Sequence, residues 1–285
     1  MKFADIKNDI AFRKIFGNEN RKEVLISFLN AVLDFQGEGR ISEVTILNPY
    51  QLPALRGGKA TIIDVKAKDQ RGHEYIVEMQ VAEIDGFNKR VLYYTGKSFI
   101  DQISRGEFYK KLKPAIFIGI LDFVHTQNPH YLSRHRILDI ETGERCIKDI
   151  EFNFIELPKF TRQLHELRNL IEKWVFFIKE AENLEVLPEN LDDEGLASAY
   201  REANIQTWTK EELAEYDYAS MREQDERGKV EAAVKSSVKS AVEEAVKGTK
   251  YEIARSLLRG GVAIEIVSEN TGLSLEEVEQ LAQGS

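Results

Sequence analysis

The chain has little of what marks secreted or membrane proteins. Its single cysteine, Cys146, excludes an internal disulfide and is typical of a reducing compartment. The apolar run at residues 114–123 is far shorter than a membrane helix. Met1 to Asp5 lead into charged residues rather than the apolar core of a signal peptide. We therefore expect a cytoplasmic protein of a bacterial type.

A set of zinc ligands is also missing. Cys146 stands alone, and His125, His130 and His135 are five residues apart in a segment that Asn128-Pro129 interrupts. Structural zinc sites need four closely spaced Cys or His ligands. These histidines are therefore predicted to lie in loops or on the surface.

Positive charge is scarce in one part of the chain only. The net charge is −9, but residues 1–160 carry 24 basic and 22 acidic side chains, whereas residues 161–285 carry 15 and 26. Binding to phosphate needs local positive surface. The first region offers it through Arg13, Lys14, Arg105, Lys110, Lys111 and Lys113. This split predicts that the chemistry lies before a boundary near residue 160.

Two acids interrupt segments that otherwise read as buried strands. Asp64 follows Ile62-Ile63, and Glu78 lies between Val77 and Met79. Asp is depleted from strands, and burying an unpaired carboxylate costs several kcal/mol. A divalent cation would compensate both acids at once. The span is therefore a candidate metal site.

The spacing of the two segments predicts a hairpin whose register decides the geometry. If residues 70–72 form the loop, Asp69 pairs with His73 and Asp64 lies opposite Glu78, with Cβ atoms about 4.5–5.5 Å apart. A loop one residue shorter or longer shifts the pairing and separates the acids. Side chains two apart share a face, so Gln80 joins Glu78.

A simpler interpretation is that both acids are exposed strand positions paired with Lys66 or Arg71. The alternation of polar and apolar residues around Glu78 favours it. The apolar residues on both faces beside Asp64 oppose it.

Several blocks in this order resemble one branch of the PD-(D/E)XK nuclease superfamily. It is the Rpn family, described as recombination-promoting nucleases and transposases, and the resemblance extends over about residues 5–160. The matching blocks are NDIAFRKIFG (8–17), LISFLNA (25–31), IDVKAKD (63–69), IVEMQV (76–81), KRVLYY (89–94) and IELPKF (155–160).

The resemblance implies a metal site and a catalytic set. Asp64 and Glu78 match the metal-binding acids, with the Met79 carbonyl as a further ligand of Mg²⁺ or Mn²⁺. Gln80 stands where many superfamily members have Lys, although the Rpn branch itself carries Gln. Because Gln is neutral, the positive charge has to come from the metal or from another cation, of which Lys66 is the nearest candidate.

The resemblance adds further residues with open roles. Asp9 matches an acid of the opening helix and is either a catalytic residue or a helix N-terminal charge. Arg90 and Tyr94 share a helix face and either meet DNA phosphate or, for Tyr94, belong to the core. Lys14 and Lys66 complete the candidate DNA-binding residues.

The predicted fold class is α/β, with a restriction-endonuclease-like mixed sheet flanked by helices and an all-helical C-terminal region. Helix is predicted at about 8–35 and 88–105, and strands at about 41–48, 60–68, 74–82, 114–122, 134–140 and 150–157. The predicted domains are a nuclease domain (1–160), a helical extension packing on it (161–227), and a helical linker with an acidic C-terminal helical hairpin (228–285).

Valines recur every four residues from Val230 to Val246, within a helical pattern. Because four residues overshoot a 3.6-residue turn, the stripe drifts around the helix. It predicts either a solvated linker or a loose homo-oligomer contact through the C-terminal helices.

The function predicted from these features is a metal-dependent DNA endonuclease, acting in recombination or in mobile-element or defence biology. Its partner would be DNA and its cofactor Mg²⁺ or Mn²⁺. The alternative is a non-catalytic module that uses the same fold to bind nucleic acid or protein.

Overall fold

The protein was analysed as a computed structural model that describes residues 1–51, 61–189 and 191–283. The chain divides into two compact units, Met1–Ala219 and Ser220–Ser285. In the described residues, the strands are β1 (Val44–Leu47), β2 (Tyr50–Gln51), β3 (Thr61–Ile62), β4 (Val65–Asp69), β5 (Glu74–Gln80), β6 (Ala115–Leu121), β7 (Leu132–Arg136) and β8 (Ile150–Glu156). The helices are α1 (Asp9–Phe16), α2 (Lys22–Leu33), α3 (Phe87–Ile100), α4 (Leu170–Glu180), α5 (Glu194–Ala203), α6 (Lys210–Arg259), α7 (Ile264–Thr271) and α8 (Leu275–Gln283).

The first unit is built on a six-stranded mixed sheet in the order β1-β4-β5-β6-β8-β7. The central pairs β5–β6 and β6–β8 are parallel, and the outer pairs are antiparallel. Helices cover both faces, so the predicted α/β fold class is confirmed. The strand predicted at 60–68 is divided into β3, which pairs with β2, and β4; residue 60 lies outside the described residues.

One face of the sheet carries the larger core. Odd-numbered residues of β5, among them Tyr75 and Val77, pack there with helices α1, α2, α4 and α5. Trp174 of α4 and Tyr200 of α5 are almost fully buried in this core. Helix α4 begins at Leu170 because the Asn169 side chain caps it by accepting the Glu172 N–H at 3.0 Å.

The other face carries a smaller core under a single helix, α3. Phe87 and Val91 of α3 pack on Ile76, Phe117 and, further along the sheet, Phe154. The even-numbered residues of β5 point to this face, and Glu78 and Gln80 are among them. Two of the functional residues predicted from the sequence, Glu78 and Gln80, therefore belong to the α3 face.

The second unit is helical. The last turns of α6 pack with α7 and α8 around Ala254, Val267, Leu273 and Val278. In α6, Val234, Val238, Val242 and Val246 are each at least half exposed. Their role as linker or oligomer contact stays a prediction. Among the residues that the structure describes, no helix has both the length and the apolar character needed to span a bilayer.

Candidate functional site

The β4–β5 hairpin has the register that brings the two acids together. Val65 lies opposite Val77, and the Asp69 N–H donates to the His73 carbonyl at 3.0 Å, so residues 70–72 form the loop. Gly72 has φ of 86°, a conformation that favours glycine over other residues. The three-residue loop is thus confirmed, and the same register, continued one residue beyond the end of the ladder at Val65, places Asp64 across from Glu78.

Hydrogen bonds hold the two carboxyl groups at one point of the sheet. The Asp64 N–H donates to Glu78 Oε1 at 3.3 Å, and the Met79 N–H donates to Asp64 Oδ2 at 3.0 Å. The side chain of Asp64 and the whole of Glu78 are each only 8% exposed. The interpretation of the two acids as exposed strand positions is therefore wrong.

The acid pair carries more negative charge than its surroundings compensate. Burial, and next the charge of Asp64, raise the pKa of Glu78 well above its ordinary value. The positive charges of Arg90 and Arg13 oppose this rise without cancelling it. A cation between the carboxylates would supply the missing compensation.

The donor set suits a hard divalent cation. Mg²⁺ prefers oxygen ligands and is commonly held by one or two carboxylates while it keeps several waters. Asp64 and Glu78 offer such carboxylates, and the Met79 carbonyl as a further ligand stays a prediction. Over the described ranges, no group of three or more His, Cys, Asp or Glu side chains has the geometry of a metal site. The pair therefore matches a site shared with water and substrate better than a closed protein cage.

Arg13 is the basic partner of Asp64. Its Nη2 and Nε donate to Asp64 Oδ1 at 2.8 and 3.2 Å. Burial lowers the pKa of Arg13. The hydrogen bonds and charge of Asp64 raise it, as do the charges of Asp9 and Glu78, and the net shift is upward. From the sequence, Arg13 was expected only as part of a basic surface. Its four-residue spacing from Asp9 was the one signal that it belongs to an acidic cluster.

The start of α1 assigns Asp9 and its neighbour different roles. The Asn8 side chain caps the helix by accepting the N–H groups of Ile10 and Ala11. Asp9 is exposed in the first turn, and its charge acts on Arg13. The helix cap is therefore Asn8, and the catalytic role of Asp9 stays a prediction.

Helix α3 brings a second cation to the acid pair. Arg90 Nη2 donates to Gln80 Oε1, and the Gln80 Nε2 donates to the Ala82 carbonyl at 2.9 Å. The guanidinium of Arg90 lies 5.8 Å from the Phe87 ring centre and 5.7 Å from that of Tyr94. Gln80 thus uses both ends of its amide to position Arg90.

Tyr94 also lies within the electrostatic range of the acids. Burial raises the pKa of its hydroxyl; Arg90 lowers it, and the charges of Glu78 and Asp64 raise it further. The structure therefore brings together Asp64, Glu78, Gln80, Arg90 and Tyr94.

Two predicted cations lie elsewhere. Lys66 Nζ pairs with Glu74 Oε2 at 2.9 Å, because Glu74 projects from the same face of the neighbouring strand. Lys14 pairs with Glu212 and lies 5.3 Å from the Trp208 ring centre. The expectation that Lys66 supplies the charge absent from Gln80 is wrong, since Arg90 lies beside Gln80 instead. Contacts of Lys66 and Lys14 with DNA stay predictions.

The comparisons with known proteins point to one family. A family model described as PD-(D/E)XK nuclease family transposase matches residues 6–233 of the 285. No curated protein and no solved structure matches the chain. The match spans most of the chain, including both acids, and does not single out the Rpn branch.

Proposed function

Since the chain belongs to the PD-(D/E)XK nuclease family transposases, we propose that it is a metal-dependent DNA endonuclease that hydrolyses phosphodiester bonds. The observation that carries this proposal is that Asp64 and Glu78 lie together, with the Asp64 N–H donating to the Glu78 carboxylate and the Met79 N–H donating to the Asp64 carboxylate. Buried and only partly compensated, the pair is the group in the described chain best suited to hold Mg²⁺ or Mn²⁺.

Asp64, Glu78 and the Met79 carbonyl would hold the metal ion. When bound, a divalent cation neutralises charge on the scissile phosphate and lowers the pKa of its water. Glu78 has to be deprotonated to act as a ligand, and its raised pKa makes this the step that limits loading at low pH.

Arg90 is the cation that we assign to the phosphate. A guanidinium is always charged and donates up to five hydrogen bonds in a planar arrangement that matches phosphate oxygens. Gln80 holds it from one side, and the rings of Phe87 and Tyr94 lie against it. In this proposal Gln80 is a positioning residue, and Arg90 supplies the charge that a lysine supplies in other superfamily members.

Arg13 keeps Asp64 in place before the cation arrives. It occupies Oδ1, one of the two oxygens that a metal ion would use, while Oδ2 accepts the Met79 N–H. Its side chain is 43% exposed, so it can move toward a phosphate when the cation binds. Asp9 beside it would hold Arg13 in either position.

The biological setting proposed is recombination or mobile-element and defence biology, as the Rpn resemblance implies. Residues 1–160 would form the nuclease domain, 161–227 its helical extension, and 228–285 the linker and acidic hairpin. A homo-oligomer through the C-terminal helices would supply two active sites for cutting both strands.

The test is plasmid nicking with Mg²⁺ or Mn²⁺ by the full-length protein and by Asp64→Asn. We expect nicking that needs the metal and is lost in the variant, while thermal unfolding shows that the variant stays folded. The matched control is Asp101→Asn, which removes the same charge at the far end of α3, where the carboxylate pairs with Lys97. Wild-type protein that nicks no DNA with either metal would contradict the proposal.

A non-catalytic binding module is the second candidate. The ion pair between Arg13 and Asp64 favours it, because the described structure already satisfies one carboxylate without a metal. It predicts DNA or protein binding that is unchanged in Asp64→Asn and no hydrolysis by either protein.

A further inference from the structure

A cleft of about 410 Å³ opens on the α3 face of the sheet, on the other side of α3 from the acid pair. Its size falls within the range of ligand pockets. It is lined by Asn88, Val91, Leu92, His125, Thr126, His135, Phe152 and Phe154. At about 100° per residue, Asn88 and Leu92 lie roughly 160° around the helix from Arg90 and Tyr94 respectively. One helix therefore separates the two sites and contributes side chains to both.

The strand register sets the distance between cleft and acid pair. Glu78 of β5 pairs with Gly119 of β6, and Gly119 pairs with Phe154 of β8. Neighbouring strands are about 4.8 Å apart, so the backbones at Glu78 and Phe154 are about 10 Å apart at the same level of the sheet. Because α3 packs on the sheet between the two sites, a DNA strand that reaches both has to cross the outer face of this helix, which is about 10 Å wide.

The interior of the cleft is formed largely by rings. The Phe154 ring centre lies 5.3 Å from those of His125 and His135. Phe152 is half-buried and His135 exposed, so both remain accessible at the rim. Rings of this kind stack on nucleobases, and because every base has such a face the contact tolerates any sequence.

One wall of the cleft is held in place by a buried carboxylate. Glu156 Oε2 accepts the backbone N–H groups of His125 and Thr126 at 2.6 and 3.1 Å, and Lys159 pairs with the same oxygen at 2.7 Å. Burial opposes ionisation, but these bonds keep the pKa of Glu156 below its ordinary value. The wall is therefore formed before a ligand binds.

The rim of the cleft offers hydrogen-bonding groups. The exposed Asn88 amide has both donors and an acceptor for the edge of a base.

We propose that this cleft binds one unstacked nucleobase of the DNA strand whose phosphate lies at the acid pair. The proposal rests on the nuclease function and adds to it a subsite for substrate. A base is favoured over an apolar peptide because rings and an amide line the cleft on one side of α3, while the same helix carries the phosphate-binding Arg90 on its other side. It implies that the substrate is single-stranded or locally opened, since a paired base cannot enter.

The test uses full-length Glu78→Gln, which the nuclease proposal predicts to be unable to cleave, and a short single strand carrying one 2-aminopurine. Stacking in the cleft quenches this fluorescent base, and an abasic residue at the same position should weaken binding about tenfold. Leu92→Trp, at a position 58% exposed, fills the cleft without disturbing the core. It should abolish the quenching and weaken binding about tenfold. Tyr93→Trp, at the next position and outside the cleft lining, should keep both.

The outcomes separate this inference from the nuclease proposal. Quenching and affinity that are unchanged in Leu92→Trp would overturn the subsite even if wild-type protein nicks DNA. Absence of any DNA binding would overturn it as well, and so would equal binding of free 2-aminopurine nucleotide and oligonucleotide. Quenching that is lost only in Leu92→Trp would support the subsite even if wild-type protein never cleaves.

Discussion

Replacing Glu78 by Gln should make the protein more stable while removing its metal site. The substitution keeps the volume of the side chain and the oxygen that accepts the Asp64 N–H. It removes a buried carboxyl group whose pKa is raised first by burial and next by the charge of Asp64. The new amide can also donate to the Asp64 carboxylate. Relieving a destabilised active-site group commonly gives about 0.5–2 kcal/mol. In a unit of this size that corresponds to an increase in Tm of about 1–8 °C.

The gain should depend on pH in a defined direction. Because the folded pKa of Glu78 lies above its unfolded value, wild-type stability falls as pH rises from the unfolded value, about 4.3, through the folded one. Gln does not titrate. The advantage of Glu78→Gln should therefore be smallest at low pH and grow to a plateau as pH rises.

Glu74→Gln is the matched control, because Glu74 lies on the same strand and the same face. Its carboxylate pairs with Lys66 at 2.9 Å and Lys68 at 3.4 Å and accepts the Ser98 hydroxyl at 2.7 Å. The same substitution there removes compensated charge and should cost about 1.5–3 kcal/mol.

The assay is thermal unfolding of the three proteins over a range of pH, with and without Mg²⁺. A cation at 100 times its Kd stabilises wild type by about 2.7 kcal/mol, and Glu78→Gln should lose this response. A Glu78→Gln protein less stable than wild type at neutral pH, or a difference independent of pH, would refute the reasoning.

Three further predictions concern single side chains. Arg90→Ala should lower the nicking rate about 10²–10³-fold, with partial recovery in Arg90→Lys. Equal rates in wild type and both variants would exclude a catalytic role for Arg90. Arg13→Ala frees Asp64 Oδ1 for the ion and should lower the Mn²⁺ concentration for half-maximal binding. The change should be only about two- to fivefold, since the ion pair that the substitution breaks is partly exposed. A weaker Mn²⁺ affinity would contradict this. Gly195→Ala should cost about 1–3 kcal/mol in urea unfolding, because a Cβ there would clash with the Glu23 carbonyl oxygen, whereas Gly96→Ala on α3 meets open space and should gain about 0.5–1 kcal/mol. Equal effects would show that the α2–α5 contact adapts.

The sequence was sufficient for the α/β class and for the acid pair. The turn residues Asp69 to Gly72 define the hairpin loop, and the period of two along a strand then places Asp64 opposite Glu78. These are local relations, in which the partners lie within 14 residues of each other.

The cations at the site could not be predicted from sequence in the same way. Lys66 shares a face with two acids, Glu74 and Glu78, and periodicity does not choose between them. Arg13 reaches Asp64 across 51 residues, which only the packing of α1 decides. The cleft was missed for the same reason, because it joins α3 to residues that follow β6 and lie on β7 and β8.

Helix α6 illustrates a different failure. The sequence patterns before and after residue 228 predict two separate segments, but the helix continues through Gly228 and Gly248 to Arg259. Each glycine costs a helix about 1 kcal/mol, which the surrounding Ala, Glu and Lys offset. Composition over the whole stretch, rather than single breakers, decided the structure.

The measurement closest to the central claim is Mn²⁺ binding followed by electron paramagnetic resonance, with an uncleavable oligonucleotide present. The account predicts that wild type binds the ion and that Asp64→Asn and Glu78→Gln lose it while remaining folded. Binding of the same strength in all three proteins, or none in wild type, would contradict the assignment of this acid pair as the metal site.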